Sequence, residues 1–378
     1  MSITRWKQII PYLTRIAPYS HYLPNTMLGL YDILALPDRL DYLPEQVKLE
    51  TTTRCNLACQ FCGRTWAATW ARGQNQISDR KEDKRSLLKA TRLAGKNLDF
   101  STLTHLIDQF PHLSKLDVQG MGEPLINPDF IPMLEFTSRR NITTQFFTNA
   151  TLLSSEMSHA LLQQRISEIS ISLDGATAQT YEFIRFGADF IQVVDNISEL
   201  VEARKNARKK KPIIRLSAVI TSQNVEELPN LVRLGHQLGV DQVVATQFKC
   251  ISPDLESWIP DHETLLRVVE ESRRIADEIN FPFAIEFSLQ NKEQIYPANL
   301  SISRCLYPWF SINITIDGNL TPCSYLPIAD GWELGNVFQT PFTEIWNSTS
   351  FQSLRRNMRN GNLQETPCQY FIYKVKRD

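Results

Sequence analysis

The chain has almost no charge imbalance: 40 lysines and arginines face 41 acids among 378 residues, a net −1 at pH 7. Without a global basic field, nucleic-acid binding is not expected, and local runs have to be judged separately. Long apolar runs are also missing, since none approaches the roughly 18 residues a bilayer span requires. The N-terminal MSITRWKQIIPYLTRIAPYSHYLP carries prolines, tyrosines and charges where a secretory signal needs an unbroken apolar stretch. Residues 1–46 are read instead as a helical lead-in, with Trp6, Ile9, Ile10 and Leu13 as its face toward any membrane surface. The expected compartment is the reducing cytoplasm, and no fixed-period repeat or low-complexity tract is present. Hydrophobic residues, 42% of the chain, suffice for a sizeable core.

Cysteines are few, seven in all, but Cys55, Cys59 and Cys62 fall within TTTRCNLACQFCGRT. In a reducing compartment such a cluster points to a metal rather than to disulfides. A structural zinc takes four ligands, and the neighbourhood supplies no fourth cysteine or histidine. His105 lies far down the next helix, and Arg54, Asn56, Gln60 and Arg64 are not ligands. A 4Fe–4S cubane normally takes four thiolates. With three, one iron stays open to water or substrate, which describes a working site.

From about residue 47 to 250 strand and helix patterns alternate. VKLETTT, KLDVQG, TTQFFTNA, EISISLDG, IIRLSAVI and DQVVATQF read as six strands with helices between them. Such βα succession implies a parallel sheet with right-handed crossovers. Six units are too few to close a barrel, so the fold class is α/β, an open (β/α)6 partial barrel over 47–285. Asn127 is read as an N-cap, the serines of SSEMSHALLQQR as caps, and Gly239 as a helix stop. Arg72–Lys96, inside a basic insertion at 72–98, holds eight lysines and arginines against three acids. It is either a solvated insertion or a lid or docking surface for an acidic partner. The tract EARKNARKKKP is read as a solvated helix end. From 286 to 378 the pattern changes to a small α+β domain, where Asp317-Gly318 signals a hairpin with a type I′ turn and Gly361 ends a helix.

The loop CNLACQFC after strand one resembles the radical S-adenosylmethionine (SAM) enzymes, whose three cysteines hold a 4Fe–4S cluster with one iron chelating SAM. Several later segments extend the resemblance. GMGEPLINPD looks like the family's glycine-glutamate-proline motif, implying that Gly120, Gly122, Glu123 and Pro124 cradle the methionyl amino group. FFTNAT implies Asn149, with Ala150 where glycine is usual. SISLDGA implies Ser172 and Asp174, and EFIRFGADF implies Arg185 on the SAM carboxylate. Met121 and Phe147 are expected to pack. The implied activity is reductive cleavage of SAM to a 5′-deoxyadenosyl radical that takes hydrogen from a substrate carbon, fed by a reductant such as flavodoxin or ferredoxin. No residue reads as the essential acid or base.

Cys305, Cys323 and Cys368 repeat the arithmetic. CLYPWFSINITIDGNLTPC and the helix after it resemble the SPASM/Twitch extension of radical SAM enzymes, implying an auxiliary iron–sulfur cluster. The usual C-x2-C pair is broken, because Phe371 stands where a cysteine is expected. The fourth ligand is open, with Cys250 the only other cysteine and otherwise a buried small hydrophobe. Such relatives modify peptides or proteins by oxidation, cross-linking or epimerisation, or act on carbohydrate-like and other small molecules. The 46 residues before strand one are too few for a winged-helix peptide-recognition domain. A non-catalytic iron–sulfur or zinc scaffold is the contrasting class.

Overall fold

The computed structural model describes residues 36–71, 77, 81–248, 253–285, 307–322, 334–362 and 366. Residues 1–35 of the lead-in, together with Cys250, Cys305, Cys323, Cys368 and Phe371, lie outside the described residues. The chain divides into two compact units, one comprising Leu49–His105 and Leu116–Asn299, the other Met1–Lys48, Leu106–Lys115 and Leu300–Asp378.

The larger unit begins at the last residue of the first strand, Leu49, and is built on strands in sequence order. β1 (Gln46–Leu49) ends at Leu49, whose carbonyl accepts from Gln119 N just past β2 (Lys115–Val118). β3 (Thr143–Thr148), β4 (Ile166–Ser172), β5 (Ile213–Ile220) and β6 (Gln242–Gln247) follow side by side. A three-residue β7 (Phe283–Ile285) adds a seventh strand parallel to β6, one more than the six expected. The sheet is open, its edge strand being β7.

Helices α1 (Gly63–Trp70), α2 (Lys81–Leu93) and α3 (Phe100–Asp108) lie between β1 and β2. The crossovers after them are α4 (Phe130–Arg139), α5 (Ser155–Leu162), α6 (Ala178–Ile184) with α7 (Phe190–Asn206), α8 (Leu228–Leu238) and α9 (His262–Glu278). The basic insertion is therefore helical over 13 residues. Ser154 caps α5 by accepting from Met157 N, and Gly239 ends α8 in the left-handed region at φ 70°, as their residue types require. Asn127 does not cap α4. It is buried, its Nδ2 donates to Thr51 O and Leu98 O, and Asp129 takes the cap position. Its Oδ1 accepts from Asp129 N at 3.0 Å in the turn that leads into α4, while its NH2 goes to two distant carbonyls, a demand that local spacing does not reveal.

The strands present two unlike faces. Phe146, Ile169, Ile171, Ile214, Leu216 and Val243 are sealed against the helices; Phe146, for example, stacks edge-on with Phe130 of α4. The opposite face carries polar groups in ladder register. Phe147, Ser170, Arg215 and Gln242 form one row, and Ser172, Ser217 and Val244 the next. A parallel sheet covered on both faces reads as continuous apolar strands. This inner face instead carries polar side chains at Ser170, Ser172, Arg215 and Ser217.

In the smaller unit, β8 (Ser311–Ile314) and β9 (Leu320–Thr321) form the expected hairpin. Gly318 alone has positive φ (81°), and its N–H bonds to Thr315 O. The connection is a three-residue loop with one left-handed residue, not the type I′ turn, which needs two. α10 (Tyr307–Phe310), α11 (Phe342–Trp346) and α12 (Thr349–Asn360) complete it, and Gly361 stops α12 at φ 80°. Arg355, with no exposed surface, pins this unit. It donates to Pro308 O and Asp38 O and lies 4.2 Å from the Trp346 ring centroid.

Candidate active site

The cysteine loop leaves the end of β1 and is held by its backbone. Ala58 N bonds to Phe186 O and Gln60 N to Ile184 O, both at 2.9 Å, and Cys62 N to Cys59 O at 3.1 Å. Trp66 Nε1 returns to Gln60 O at 2.7 Å, so α1 clamps the loop that it follows. Cys55, Cys59 and Cys62 are free thiols, Cys59 buried and the others half-buried. Burial first, then the Glu123 charge, pushes the Cys55 thiol up to about 11. Burial raises Cys59 as well, against the pull of Arg185.

The end of β2 packs directly on this loop. A Cβ at Gly122 would stand 2.3 Å from Thr52 O and 2.6 Å from Arg54 O, so only glycine lets the two backbones approach. Gly120 is held similarly close to the Glu50 side chain, whose carboxylate accepts from Met121 N. Met121 does not pack as expected: its side chain is 45% exposed, because the turn spends its backbone on Glu50 and turns the side chain outward. Phe147 does pack, half-buried, with the Arg215 guanidinium 5.6 Å from its ring centroid. Pro124 opens the short turn Pro124–Ile126.

Glu123 ties strand ends together. Its Oε1 accepts from Thr148 Oγ1 at 2.7 Å and Leu125 N at 3.3 Å, and its Oε2 from Asn149 N at 2.7 Å. Burial pushes its carboxyl up to about 7 despite those hydrogen bonds. Asn149 Nδ2 donates to Asn56 Oδ1 at 3.0 Å and lies 3.9 Å from Cys55 Sγ. Next to it, Ala150 is fully buried with φ 57°, a left-handed backbone that costs a non-glycine residue about 1–2 kcal/mol.

The end of β4 supplies Ser172, half-buried, and Asp174, with no exposed surface. Asp174 Oδ2 takes both Nε and Nη2 of Arg185 at 2.6 Å, while Oδ1 accepts from Val219 N at 2.7 Å. Asp174 thus spends both oxygens on protein groups and positions Arg185. Arg185 Nη1 in turn lies 4.0 Å from Cys59 Sγ. Although burial works against the charge, Asp174 and then Cys59 keep this guanidinium protonated. Cys55, Glu123 and Asn149 therefore form one connected set and Cys59, Asp174 and Arg185 a second, both at strand ends.

Several participants were not singled out from the sequence. Asn56 and Thr148 complete the Asn149–Glu123 chain, and Asn224 holds Asp174 O at 2.8 Å. On the inner face below, Arg215 Nε donates to Ser170 Oγ at 2.9 Å and pairs with Glu168 at 3.1 Å. The one available signal was alternation: Glu168, Ser170 and Ser172 recur at period two beside isoleucines.

These residues suit a 4Fe–4S cluster with SAM. Three free thiols on one loop, one of them buried, are the donor set that such a cluster takes. Arg64 Nη1 and Tyr181 Oη are buried without a hydrogen-bond partner among the described residues. Both influence the cysteines electrostatically, Arg64 at Cys55 and Tyr181 with Cys59. Both atoms are polar groups that a bound group or a water could satisfy.

The profile of the "Radical SAM superfamily" matches residues 49–235, and that of an "Iron-sulfur cluster-binding domain", SPASM, matches 305–370, a span that includes Cys305, Cys323 and Cys368. The chain belongs to the radical SAM superfamily and carries a SPASM domain; it is an enzyme of that class, with a 4Fe–4S cluster, SAM and auxiliary iron–sulfur as its cofactors. It is similar to the tungsten-containing aldehyde ferredoxin oxidoreductase cofactor-modifying protein of Pyrococcus furiosus, 25% identical over 82% of this chain and 83% of that one. It is also similar to the PqqA peptide cyclase of Gluconobacter oxydans, 23% identical over 86% and 82%. Its fold resembles that of Streptococcus suis SuiB bound to precursor peptide SuiA, with TM-score 0.62, 16% identity, and coverage of 86% of this chain and 69% of that one. Among the described residues no helix is long and apolar enough to cross a membrane.

Proposed function

We propose that the chain is a peptide- or protein-modifying radical SAM enzyme, with its SAM site where the ends of β1 to β4 meet. The observation that carries the siting is the unbroken path Cys55–Asn149–Glu123, together with Arg185 beside Cys59. In this reading Cys55, Cys59 and Cys62 hold the cluster, which when loaded with SAM supplies reductive cleavage to a 5′-deoxyadenosyl radical. Gly120, Gly122 and Pro124 shape the backbone that receives the methionyl amino group. Glu123 and Asn149 orient it, Arg185 neutralises the carboxylate, and Ser172 meets the ribose. Asp174 keeps Arg185 aimed. The polar face beneath, with Ser170 and Arg215 in one row and Ser217 in the next, would line the substrate chamber and exclude bulk water from the radical.

The peptide substrate is supported by two relatives, one named for cyclising PqqA peptide and one bound to its precursor peptide. The Pyrococcus relative's name, a cofactor-modifying protein, favours the second reading of a small-molecule substrate. Cys305, Cys323 and Cys368 would hold auxiliary iron–sulfur, flavodoxin or ferredoxin would supply the electron, and a cytoplasmic setting suits thiolate ligands that oxidise elsewhere.

Anaerobically reconstituted, reduced protein is expected to convert SAM to 5′-deoxyadenosine and methionine. The conversion is expected to vanish in Cys55→Ala and to persist in Cys368→Ala. An intact cluster without SAM cleavage would leave a sensor or scaffold instead.

A further inference from the structure

The insertion between the cysteine loop and β2 has no part in the site network, yet its described part, from α2 to Leu98, is fastened to that loop and to the segment that holds it. Arg64 donates from Nε to Thr53 O at 2.6 Å and from Nη2 to Ala94 O at 3.1 Å, joining the start of α1 to the residue after α2. Thr53 N bonds to Lys96 O and Leu98 N to Thr51 O. Leu88 of α2 stands so close to Gly187 that a Cβ there would meet its Cδ2 at 2.9 Å, with Asn56 O of the cysteine loop 3.6 Å away on the same glycine. Lys84 Nζ lies 5.3 Å from the Phe183 ring centroid. Phe183, Ile184 and Phe186 are the residues whose carbonyls hold Gln60 and Ala58. One strip of backbone thus touches α2 on one side and the cysteine loop on the other.

The inner side of α2 is formed by Leu87 and Thr91, both buried, while Arg85 and Lys89 are exposed one turn apart. Neither makes an ion pair among the described residues. Lys81 lies four residues before Arg85 and Arg92 three after Lys89 in the sequence, against Glu82 and Asp83 in the first turn, and the whole segment Arg72–Lys96 is net basic in a chain that is otherwise nearly neutral or acidic. A charge asymmetry concentrated on one helix outlasts screening only at short range, within roughly 8–10 Å, which suits docking rather than long-range steering. What the adjoining cluster needs from outside is one electron at a time, delivered to within a few side-chain layers.

We propose that the outer face of α2, centred on Arg85 and Lys89, is the docking surface for a small acidic one-electron carrier protein of the flavodoxin or ferredoxin class. This rests on the cluster assignment proposed above. Complementary charge at the rim of such a transient interface sets the encounter rate more than the final affinity.

The test uses the full-length reconstituted protein, SAM, and two reductants: enzymatically reduced flavodoxin, and dithionite, which needs no docking surface. Arg85→Glu/Lys89→Glu is expected to lower flavodoxin-driven 5′-deoxyadenosine formation about tenfold or more at low salt. It should leave the dithionite-driven rate within about twofold, and it should weaken binding of oxidised flavodoxin measured by calorimetry. Raising salt should erase the wild type's advantage. Lys205→Glu/Lys210→Glu, the same charge change on the other basic tract, is expected to behave as wild type. Equal flavodoxin-driven rates in wild type and the α2 variant would overturn the proposal. So would an equal loss with both reductants, which would make α2 a structural brace, and so would heparin binding that falls in the α2 variant while flavodoxin dependence does not. Absence of SAM cleavage with dithionite in the wild type would instead sink the enzyme assignment, which keeps the two failures apart.

Discussion

Asp174 offers the most direct test of how the site is held. Its side chain has no exposed surface, and its two oxygens accept three hydrogen bonds: from Arg185 Nε and Nη2 at 2.6 Å and from Val219 N at 2.7 Å. Asp174→Ala leaves a buried guanidinium without its counter-charge, a loss of about 3–5 kcal/mol. Asp174→Asn keeps the volume, yet both neighbours are donors. Its amide oxygen can satisfy only one of them, and its NH2 then faces the other, so about 2–3 kcal/mol should be lost. Urea unfolding of the cluster-free protein, with unchanged m-value, measures this directly. Because Arg185 lies against Cys59, both variants should also bind SAM at least about tenfold more weakly after reconstitution. In a cycle with Arg185→Met, the double variant should be less costly than the sum of the singles by more than about 1 kcal/mol. An Asp174→Asn protein within about 0.5 kcal/mol of wild type would refute the reasoning, because it would mean that Arg185 does not depend on the carboxylate.

Gly122→Ala places a methyl 2.3 Å from Thr52 O, so the cysteine loop must move; bound iron per chain after reconstitution should fall well below the wild-type value. At Ala150, Ala150→Gly relieves a left-handed strain but removes a buried methyl and loosens the unfolded chain, and should stay within about 1 kcal/mol of wild type by urea unfolding. Ala150→Val, branched and buried at the same φ, should cost more than about 2 kcal/mol. Cys55, raised to about 11 by burial, must lose its proton to bind iron, so the initial rate of cluster assembly, followed by absorbance, should climb steeply from about pH 7 to about pH 9. In the smaller unit, Arg355→Met leaves Pro308 O and Asp38 O without their donor and should lower that unit's hydrogen-exchange protection by about 2–4 kcal/mol.

What the linear chain made legible was the chemistry that repeats locally. Strand periods, helix caps at Ser154, stops at Gly239 and Gly361, and the cysteine spacing are all encoded within a few residues, and they appear where expected. Local rules misled where a residue served a distant partner. Asn127 sits two residues before the cap and accepts locally from Asp129 N, but its NH2 bridges Thr51 and Leu98, and the Asp317-Gly318 pair set a hairpin through one left-handed residue rather than two.

The sequence alone therefore determined the class of protein, since the three thiols, the glycine-rich turn at 120–124 and six alternating strands suffice for that. Only the tertiary structure decided which carboxylate does which job. Glu123 and Asp174 are equivalent as letters in two strand-end motifs. Folding surrounds Glu123 with neutral donors from the third strand end and gives Asp174 a guanidinium eleven residues away. That division depends on which strand ends become neighbours across the sheet, and sequence separation carries no record of it.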